Sequence, residues 1–366
     1  MRIFREEQII NCITGATLMA SGGGGSLKNG LDMLDKYKKD HPGAKIEIKV
    51  IKPEEMNPGA YAAVTCGMGA PMALKKVDFS KYATNAYMCL KDMAALMTPP
   101  RNIEYSLSVE LGGFSTFIPM LISLLNDVPM VDADGAGRAV PALDTLLLNV
   151  NGCDTSPLAM ANGDNDKVEI FLNDPKNAPL GELIGRNICG AFGNMSGLSG
   201  WMVSQKEIND RIITDSIDLS ERVGQCIKYC TDNKVEVFAN LKERGIVDAT
   251  YLGRGKITDK KVETSQGFDF GYTTIETEKG KYQIKFQNEN LVIYLNGKAY
   301  MTCPDIIMMY DAKTYLPLTN ADNNIGMDVV LGKIKIDDKW KKNSKFFDYW
   351  RKYLKIAGYT GEYIPY

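Results

Sequence analysis

The chain has 366 residues, which is long enough to bury a large core and predicts two domains. Its 43 basic and 45 acidic residues give a net charge of −2, which excludes the basic surface that nucleic-acid binding needs. No apolar run reaches membrane-spanning length, and the first residues, MRIFREEQ, lack the apolar core of a secretory signal. Together with eight scattered cysteines, these features predict a cytoplasmic protein with reduced thiols and no membrane partner.

The single histidine, His41, follows a lysine-rich helical segment and precedes a proline, a setting that predicts a solvated surface position. Histidine-based catalytic triads and multi-histidine zinc sites are therefore nearly excluded. Any catalysis by this chain must use carboxylates, cysteine, lysine, tyrosine or backbone amides.

In the first half of the chain, helical and strand patterns alternate. A helix over residues 5–20 is followed by a four-glycine loop and a second helix that ends near residue 40. The elements predicted after it are strands over 45–51 and 61–65, a helix over 85–97, a strand over 103–109, a helix over 114–126 and a strand over 128–132. This order is typical of a three-layer α/β/α domain with a partly parallel sheet. We assign this domain to residues 1–244, completed by 343–366.

The pattern changes after Gly245, where short strands are separated by turn residues at intervals of roughly ten residues, a spacing typical of antiparallel barrels. Residues 245–342 are therefore predicted to form a smaller all-β, barrel-like domain, with a two-residue hairpin turn at Asn296-Gly297. Asp305 is predicted to cap a helical turn over 306–312. The aromatic-rich segment 344–355 predicts an amphipathic helix that docks onto one domain. Two or three strands are expected over 143–172, and mostly helix over 177–244.

Acidic residues follow two predicted strands of the first domain. The apolar run Val128–Val131 stops at Asp132-Ala133-Asp134, and the strand before it ends at Glu110. Ligands bind at the carboxyl ends of strands in open α/β sheets, so all three carboxylates are predicted to share one cleft as catalytic groups. Asp134 is the first choice as a base, and Asp132 and Asp134 are the ligands if a divalent metal is used. The alternative is that both aspartates only cap the following turn.

Three glycine-containing segments are candidates for substrate binding, because glycine exposes backbone amides and allows close approach. The alternative for the first of these segments is simple termination of the preceding helix. Arg138 is a further catalytic candidate, paired either with a substrate carboxylate or with Asp134. The glycine-containing segments comprise Gly22, Gly23, Gly24 and Gly25; Gly67, Met68 and Gly69; and Gly112 and Gly113.

Three cysteines have two interpretations each. Cys66, where a predicted strand meets a glycine loop, is either a nucleophile or a buried inert thiol. Cys226 and Cys230 lie four residues apart on a predicted helix, so they face the same way. This pair is either a partial metal site or part of the core.

Taken together, these motifs resemble the S-methyl thiohydantoin desulfurase family, formerly domain of unknown function 917 and associated with hydantoinase/oxoprolinase genes. The resemblance covers nearly the whole chain in the expected order. It implies a three-layer α/β domain, a β-barrel-like domain, and hydrolysis of a five-membered hydantoin-like ring with release of a thiol. The matching blocks are 22–25, Gly67–Pro71, Glu110–Gly113, Val131–Arg138 with Pro141, Gly255–Ile257, Gly267-Phe268, Gln287–Asn290, Pro304-Asp305 and Glu362–Pro365.

Two functions from different classes follow. In the first, the protein is a hydrolase in which Asp132, Asp134 or Glu110 activates water, with or without a divalent metal, and glycine-loop amides stabilise negative charge. Its substrate would be a small heterocycle of the S-methyl thiohydantoin type. In the alternative, the protein is a non-catalytic ligand-binding or regulatory subunit of a hydantoinase/oxoprolinase-type complex. A homo-oligomer or a hydantoinase-type partner is compatible with both.

Overall fold

The computed structural model describes residues 1–69, 77–265 and 268–366. The predicted motif residues Ala70, Pro71 and Gly267 lie outside the described residues. The α-helices are α1 (Glu6–Met19), α2 (Leu27–Asp40), α3 (Phe79–Ala95), α4 (Phe117–Asn126), α5 (Leu147–Val150), α6 (Ala178–Ala191), α7 (Gln205–Arg211), α8 (Ser216–Asn233), α9 (Val237–Glu243) and α10 (Asp348–Ile356).

The strands form two sheets. The strands of the first sheet are β1 (Arg2–Arg5), β2 (Glu47–Ile51), β3 (Ala60–Gly69), β4 (Asn102–Ser108), β5 (Met130–Asp134), β6 (Leu158–Ala161), β7 (Lys167–Ile170), β8 (Met195–Ser204) and β9 (Ile213–Thr214). The strands of the second sheet are β10 (Ala249–Ser265), β11 (Phe268–Thr277), β12 (Gly280–Gln287), β13 (Glu289–Leu295), β14 (Lys298–Thr302), β15 (Ile306–Asp311), β16 (Pro317–Leu318) and β17 (Asp328–Ile334).

The first sheet has the strand order β1-β2-β5-β4-β3-β8-β6-β7, with β9 paired to β5. Strands β2, β5, β4 and β3 run parallel, which confirms the predicted partly parallel sheet. Strand β8 lies antiparallel to β3, although its region was predicted to be mostly helical. Its sequence, MSGLSGWMVS, is rich in serine and glycine and is buried along nearly its whole length, so it lacks the alternation that marks a half-exposed strand.

Helices pack against both faces of the first sheet, as a three-layer α/β/α domain requires. Successive side chains of a strand point to opposite faces, and β3 shows this directly. Ala63 belongs to the apolar cluster formed with α3 and α4, whereas Ala62 and Val64 belong to the cluster that includes residues of α6 and α8. The predicted fold class of the first domain is therefore confirmed.

The second sheet is antiparallel throughout, in the order β14-β13-β12-β11-β10-β17-β15-β16. Every one of these strands contributes to one apolar cluster, so the sheet curves around a common core. Closure into a complete barrel is not shown, because β14 and β16 stand at opposite ends of the strand order. Asn296 and Gly297 join β13 to β14 with φ values of 49° and 82°, which confirms the predicted hairpin turn.

Two predictions near the end of the chain have different outcomes. The segment after Asp305 is strand β15, so the predicted helical turn is wrong; an apolar run this short does not distinguish a buried strand from a helix. The Asp305 carboxylate instead accepts hydrogen bonds from the backbone of Ile336 and the hydroxyl of Tyr363. The predicted amphipathic helix is confirmed as α10, whose Trp350 is completely buried.

Among the described residues, no helix is both long enough and apolar enough to cross a membrane.

Candidate functional site

A cavity of about 270 Å³ lies between the two sheets, at the carboxyl ends of β3 and β4. Strand β3 contributes its last residues, and the segment after β4 contributes Val109 and Glu110. The second domain closes the opposite side with residues that include Asp269, Phe286 and Glu289. Ligands were predicted to bind at the carboxyl ends of these strands, and the cavity lies at that place.

The four-glycine loop lines this cavity, and its glycines are required by close packing. A Cβ atom at Gly23 would lie 2.0 Å from Oε1 of Glu289, and one at Gly24 would lie 2.6 Å from the carbonyl oxygen of Leu111. Gly24 also has a φ of +65°, a conformation that side chains disfavour. The loop therefore allows the second domain to approach the first at the cavity wall.

The other predicted glycine segments lie in two different places. Gly67, Met68 and Gly69 line the cavity, but they are part of β3, which continues past the predicted strand end at residue 65. Gly112 and Gly113 do not line the cavity. A Cβ atom at Gly112 would lie 2.2 Å from the carbonyl oxygen of Gly24, so this pair supports the glycine loop from behind.

Glu110 is placed in the cavity by the end of β4 and is partly buried. Its Oε1 accepts a hydrogen bond of 2.9 Å from the hydroxyl of Ser115, and its Oε2 accepts one of 2.9 Å from the backbone N–H of Val140. Burial raises the pKa of Glu110 to about 7, although these two hydrogen bonds favour the charged form. A carboxyl group with this pKa can exchange a proton near neutral pH.

Glu289, the first residue of β13, is the functional candidate that sequence reasoning missed. Its side chain is 3% exposed and lines the cavity, and its Oε2 has no hydrogen-bond partner among the described residues. Burial raises the pKa of Glu289 well above its usual range, and the negative charge of Glu110 raises it further. The only sequence signal was its position in the block Gln287–Asn290, which matched the family without a stated role.

Glu110 and Glu289 line the same cavity, and the negative charge of Glu110 raises the pKa of Glu289. Ionising both carboxyl groups would place two negative charges in one buried site at a high cost in free energy. One group therefore stays protonated while the other is ionised. The raised pKa of each group has burial as its main cause, and the positive charge of Arg138 opposes the shift in both. Near neutral pH we assign the negative charge to Glu110 and the proton to Glu289.

Asp132 and Asp134 do not line the cavity, so the prediction that they share its cleft with Glu110 is wrong. Strand β5 continues through Asp134, and backbone N–H groups outside the cavity bind both carboxylates, that of Asp132 at the start of α8 and that of Asp134 in the turn after β5. Asp132 accepts hydrogen bonds from the backbone N–H groups of Ile217 and Asp218 at the start of α8, and it forms an ion pair of 3.2 Å with Lys52.

The carboxylate of Asp134 caps the turn after β5, which is the alternative interpretation of this residue. Its Oδ1 accepts hydrogen bonds of 2.8 Å and 2.6 Å from the backbone N–H groups of Ala136 and Gly137. Its side chain is completely buried, and this burial raises the pKa of Asp134 to about 6. A catalytic role for this group would require a route to the cavity that the geometry does not provide.

The predicted divalent-metal site is not supported by the donor set. Over residues 1–69, 77–265 and 268–366, no group of three or more histidine, cysteine, aspartate or glutamate side chains is arranged to bind a metal. Asp132 and Asp134, the two predicted ligands, bind backbone N–H groups and Lys52. Asp132 and Asp134 are therefore not arranged to bind a divalent cation.

The substitution Asp134→Asn is expected to keep turnover within about twofold of the wild type, a barrier change on the order of 0.4 kcal/mol. Asparagine retains the Oδ1 acceptor and removes a charge that burial disfavours. Because the folded-state pKa is raised to about 6, ionisation of Asp134 costs stability as the pH rises through that value. The variant should therefore gain melting temperature relative to the wild type at pH 8 more than at pH 5. A hundredfold loss of turnover in the folded variant would contradict this assignment.

Arg138 joins the two domains, and its contacts do not include Asp134, one of its two predicted partners. Its side chain is completely buried and does not line the cavity. Nη1 donates to the carbonyl oxygens of Pro304 and Asp305 at 2.8 Å and 3.2 Å, and Nη2 donates to that of Asn290 at 3.0 Å. The guanidinium also lies 5.1 Å from the ring centroid of Trp350. Arg138 therefore holds the start of β13, where Glu289 lies, against the first domain.

The cysteines and the histidine agree with their non-catalytic interpretations. Cys66 lines the cavity, but burial and the nearby charge of Glu110 raise the pKa of its thiol well above the ordinary value, which disfavours a nucleophilic thiolate. Cys226 and Cys230 are buried in the core with their sulfur atoms 4.0 Å apart. His41 is exposed and stacks on Tyr37.

The fold has an α/β part and an all-β antiparallel sheet, with a cavity between them. A family model described as "S-Me-THD-like, N-terminal domain" matches residues 7–171, and one described as "S-Me-THD-like, C-terminal domain" matches residues 176–347. The chain therefore belongs to the S-methyl thiohydantoin desulfurase family.

A crystal structure of a protein from Chromobacterium violaceum is similar to this chain over 100% of both chains, with a TM-score of 0.86 and 20% sequence identity. At that identity the similarity shows a shared fold. No curated protein matches the chain.

Proposed function

We propose that this protein is a hydrolase that acts on a small hydantoin-like heterocycle of the S-methyl thiohydantoin type and releases a thiol. The observation that carries the proposal is the pair Glu110 and Glu289, two carboxyl groups with raised pKa values in one cavity. Carboxyl groups in different protonation states can act as a general base and a general acid in the same reaction. Family membership and a cavity that suits a small molecule support the same proposal.

In the first step, water adds to the sp² ring carbon that carries the sulfur. The ionised Glu110 takes a proton from the water while the water oxygen forms a bond to that carbon. The protonated Glu289 gives its proton to the adjacent ring nitrogen, so the tetrahedral adduct carries no net charge. Both transfers use groups that already hold the required protonation state near neutral pH.

In the second step, the adduct collapses and the carbon–sulfur bond breaks. The hydroxyl proton of the adduct passes to the Glu289 carboxylate as the carbonyl group forms. Glu110 returns its proton to the departing sulfur, which leaves as a thiol. One water is consumed, and the pair again shares a single proton. The stabilisation of negative charge by the backbone amides of the glycine loop stays a prediction.

The pH dependence of kcat/KM tests this proposal. With an S-methyl thiohydantoin as substrate, kcat/KM should rise with pH through about 7 as Glu110 ionises, since its raised pKa is about 7. It should fall again at higher pH as Glu289 loses its proton, because the mechanism needs the pair to hold one proton. Turnover that stays constant between about pH 5 and 9 would contradict the paired roles.

The alternative function, a non-catalytic subunit of a hydantoinase/oxoprolinase-type complex, has a distinct outcome in the same assay. Purified protein would then bind the heterocycle without turnover at any pH. Light scattering of the purified protein, alone and mixed with a hydantoinase-type partner, checks the predicted homo-oligomer or heteromeric complex.

A further inference from the structure

We infer that the substrate carries an apolar substituent about the size of a leucine or methionine side chain, and that this group occupies an apolar subsite formed by Cys66, Met68, Leu143 and Leu146. The inference rests on the proposed function, because it places the heterocycle itself beside Glu110 and Glu289. The subsite then accounts for the part of the cavity that extends from Glu110 toward α6.

Strand β3 forms the floor of the apolar subsite. Cys66 and Met68 are two residues apart on the strand, so their side chains share a face, and each is 6% exposed. Cys66 lines the cavity together with Glu110 and with Glu182 of α6. Met68 reaches α6 itself, because a Cβ atom at Gly185 would lie 2.7 Å from its sulfur atom.

Leu143 and Leu146 form the wall of the apolar subsite, with exposures of 9% and 1%. The backbone N–H of Leu143 donates a hydrogen bond of 2.9 Å to Oε2 of Glu182 on α6. The wall is therefore fixed to the same helix that the floor contacts, and the subsite is formed before any ligand binds.

An ion pair on α6, formed by Glu182 and Arg186, lines the cavity next to the apolar subsite. Oε1 of Glu182 accepts hydrogen bonds of 2.9 Å and 2.7 Å from Nε and Nη2 of Arg186. The Arg186 guanidinium lies 3.8 Å from the ring centroid of Phe268. Because each charge of this pair is neutralised by the other and the cation lies on an aromatic face, the pair offers little attraction to a charged substituent. Four apolar side chains in a preformed space therefore favour an apolar group.

Isothermal titration calorimetry with unreactive hydantoins tests the inference on the whole protein. The probes are unsubstituted hydantoin, 5-isobutylhydantoin and 5-carboxymethylhydantoin. Burying an isobutyl group should tighten binding roughly 10²-fold relative to the unsubstituted ring, since each buried CH₂ contributes roughly fourfold. The carboxymethyl compound should bind no more tightly than the unsubstituted ring.

Variants locate the preference within the cavity. Leu146→Ala should reduce the advantage of the isobutyl compound over the unsubstituted ring by roughly tenfold, because it removes an apolar contact with the isobutyl group. Leu183→Ala, on α6 but 61% exposed and outside the cavity lining, is the matched control and should change neither affinity. The probe series on the unmodified protein gives the answer even if Leu146→Ala does not fold.

Equal affinity for the three compounds, tighter binding of the carboxymethyl compound, or no binding of the isobutyl compound at millimolar concentration would overturn the inference. The measurement needs no turnover, so it is separate from the proposed reaction. A preference for isobutyl without hydrolysis of the matching S-methyl thiohydantoin would keep the subsite and refute the hydrolase. Hydrolysis of the S-methyl thiohydantoin without any preference for the isobutyl compound would support the hydrolase and refute the subsite.

Discussion

Glu110→Gln is expected to lower kcat by roughly 10²–10⁴, the usual effect of removing an acid–base group. Glutamine keeps the size of the side chain: its oxygen can accept the hydrogen bond from Val140, and its amide group can donate to the Ser115 hydroxyl, but it cannot take a proton from water. The melting temperature should stay level or rise near neutral pH and above, because the substitution removes a charge whose burial is unfavourable. Turnover and melting temperature measured on the same preparation separate loss of chemistry from loss of fold.

Glu263→Gln is the matched control for this experiment. Glu263 lies on β10, its side chain is 68% exposed, and it is outside the cavity lining. Its substitution should leave turnover unchanged. If Glu110→Gln keeps more than about a third of wild-type turnover, an amount far above the residual activity expected, Glu110 is not the base.

The double variant Glu110→Gln, Glu289→Gln extends the test to the pair. Groups that act as one unit show strongly non-additive effects, so the double variant should be little worse than the poorer single variant. Multiplication of the two single losses would instead show that the two glutamates act independently, which would contradict their proposed paired roles.

Arg138→Met is expected to reduce the free energy of unfolding by about 4 kcal/mol, because several buried carbonyl oxygens lose their donor and each costs about 1–3 kcal/mol when left unpaired. Methionine fills part of the space that the arginine side chain occupied. The lost hydrogen bonds therefore contribute more to the destabilisation than the remaining cavity does. The oxygens concerned belong to Pro304, Asp305 and Asn290 in the second domain and to Ala139 in the first. Urea denaturation followed by intrinsic tryptophan fluorescence measures the change.

Arg254→Met is the comparison for the Arg138 variant. The Arg254 side chain is 58% exposed and pairs with Asp328 on the surface, a type of contact that contributes about 0–1 kcal/mol. A loss below about 1 kcal/mol for Arg138→Met, similar to this control, would show that the buried guanidinium does not hold the domains together.

Local sequence signals predicted much of the fold. Caps, glycine loops and alternating apolar patterns act over a few residues, and they correctly indicated α1, the loop over 22–25, α2, the parallel strands and the Asn296-Gly297 hairpin. Strands β8 and β15 were missed because both are buried: the first is rich in serine and glycine, and the second is a short apolar run. In both, burial on two faces removes the periodicity on which the prediction depends.

Within the candidate site, the sequence predicted correctly only those residues whose position follows directly from the end of one strand. Glu110 follows β4, and its position in the cavity follows from the order of the elements. Asp132 and Asp134 were misplaced because β5 continues through both residues, and no local signal marks where a buried strand stops. Glu289 enters the cavity through the docking of the second domain, which depends on the long-range contacts of Arg138. No pattern in the sequence near Glu289 indicates that docking.

A crystal structure of the protein with bound 5-isobutylhydantoin would show whether the ring meets the two glutamates. We expect the ring in the cavity between the two sheets, with one ring atom within hydrogen-bond distance of the unpartnered Oε2 of Glu289 and the ring carbon facing Glu110. A ring bound elsewhere, or in the cavity but out of reach of both glutamates, would contradict the assignment of the pair as the catalytic groups.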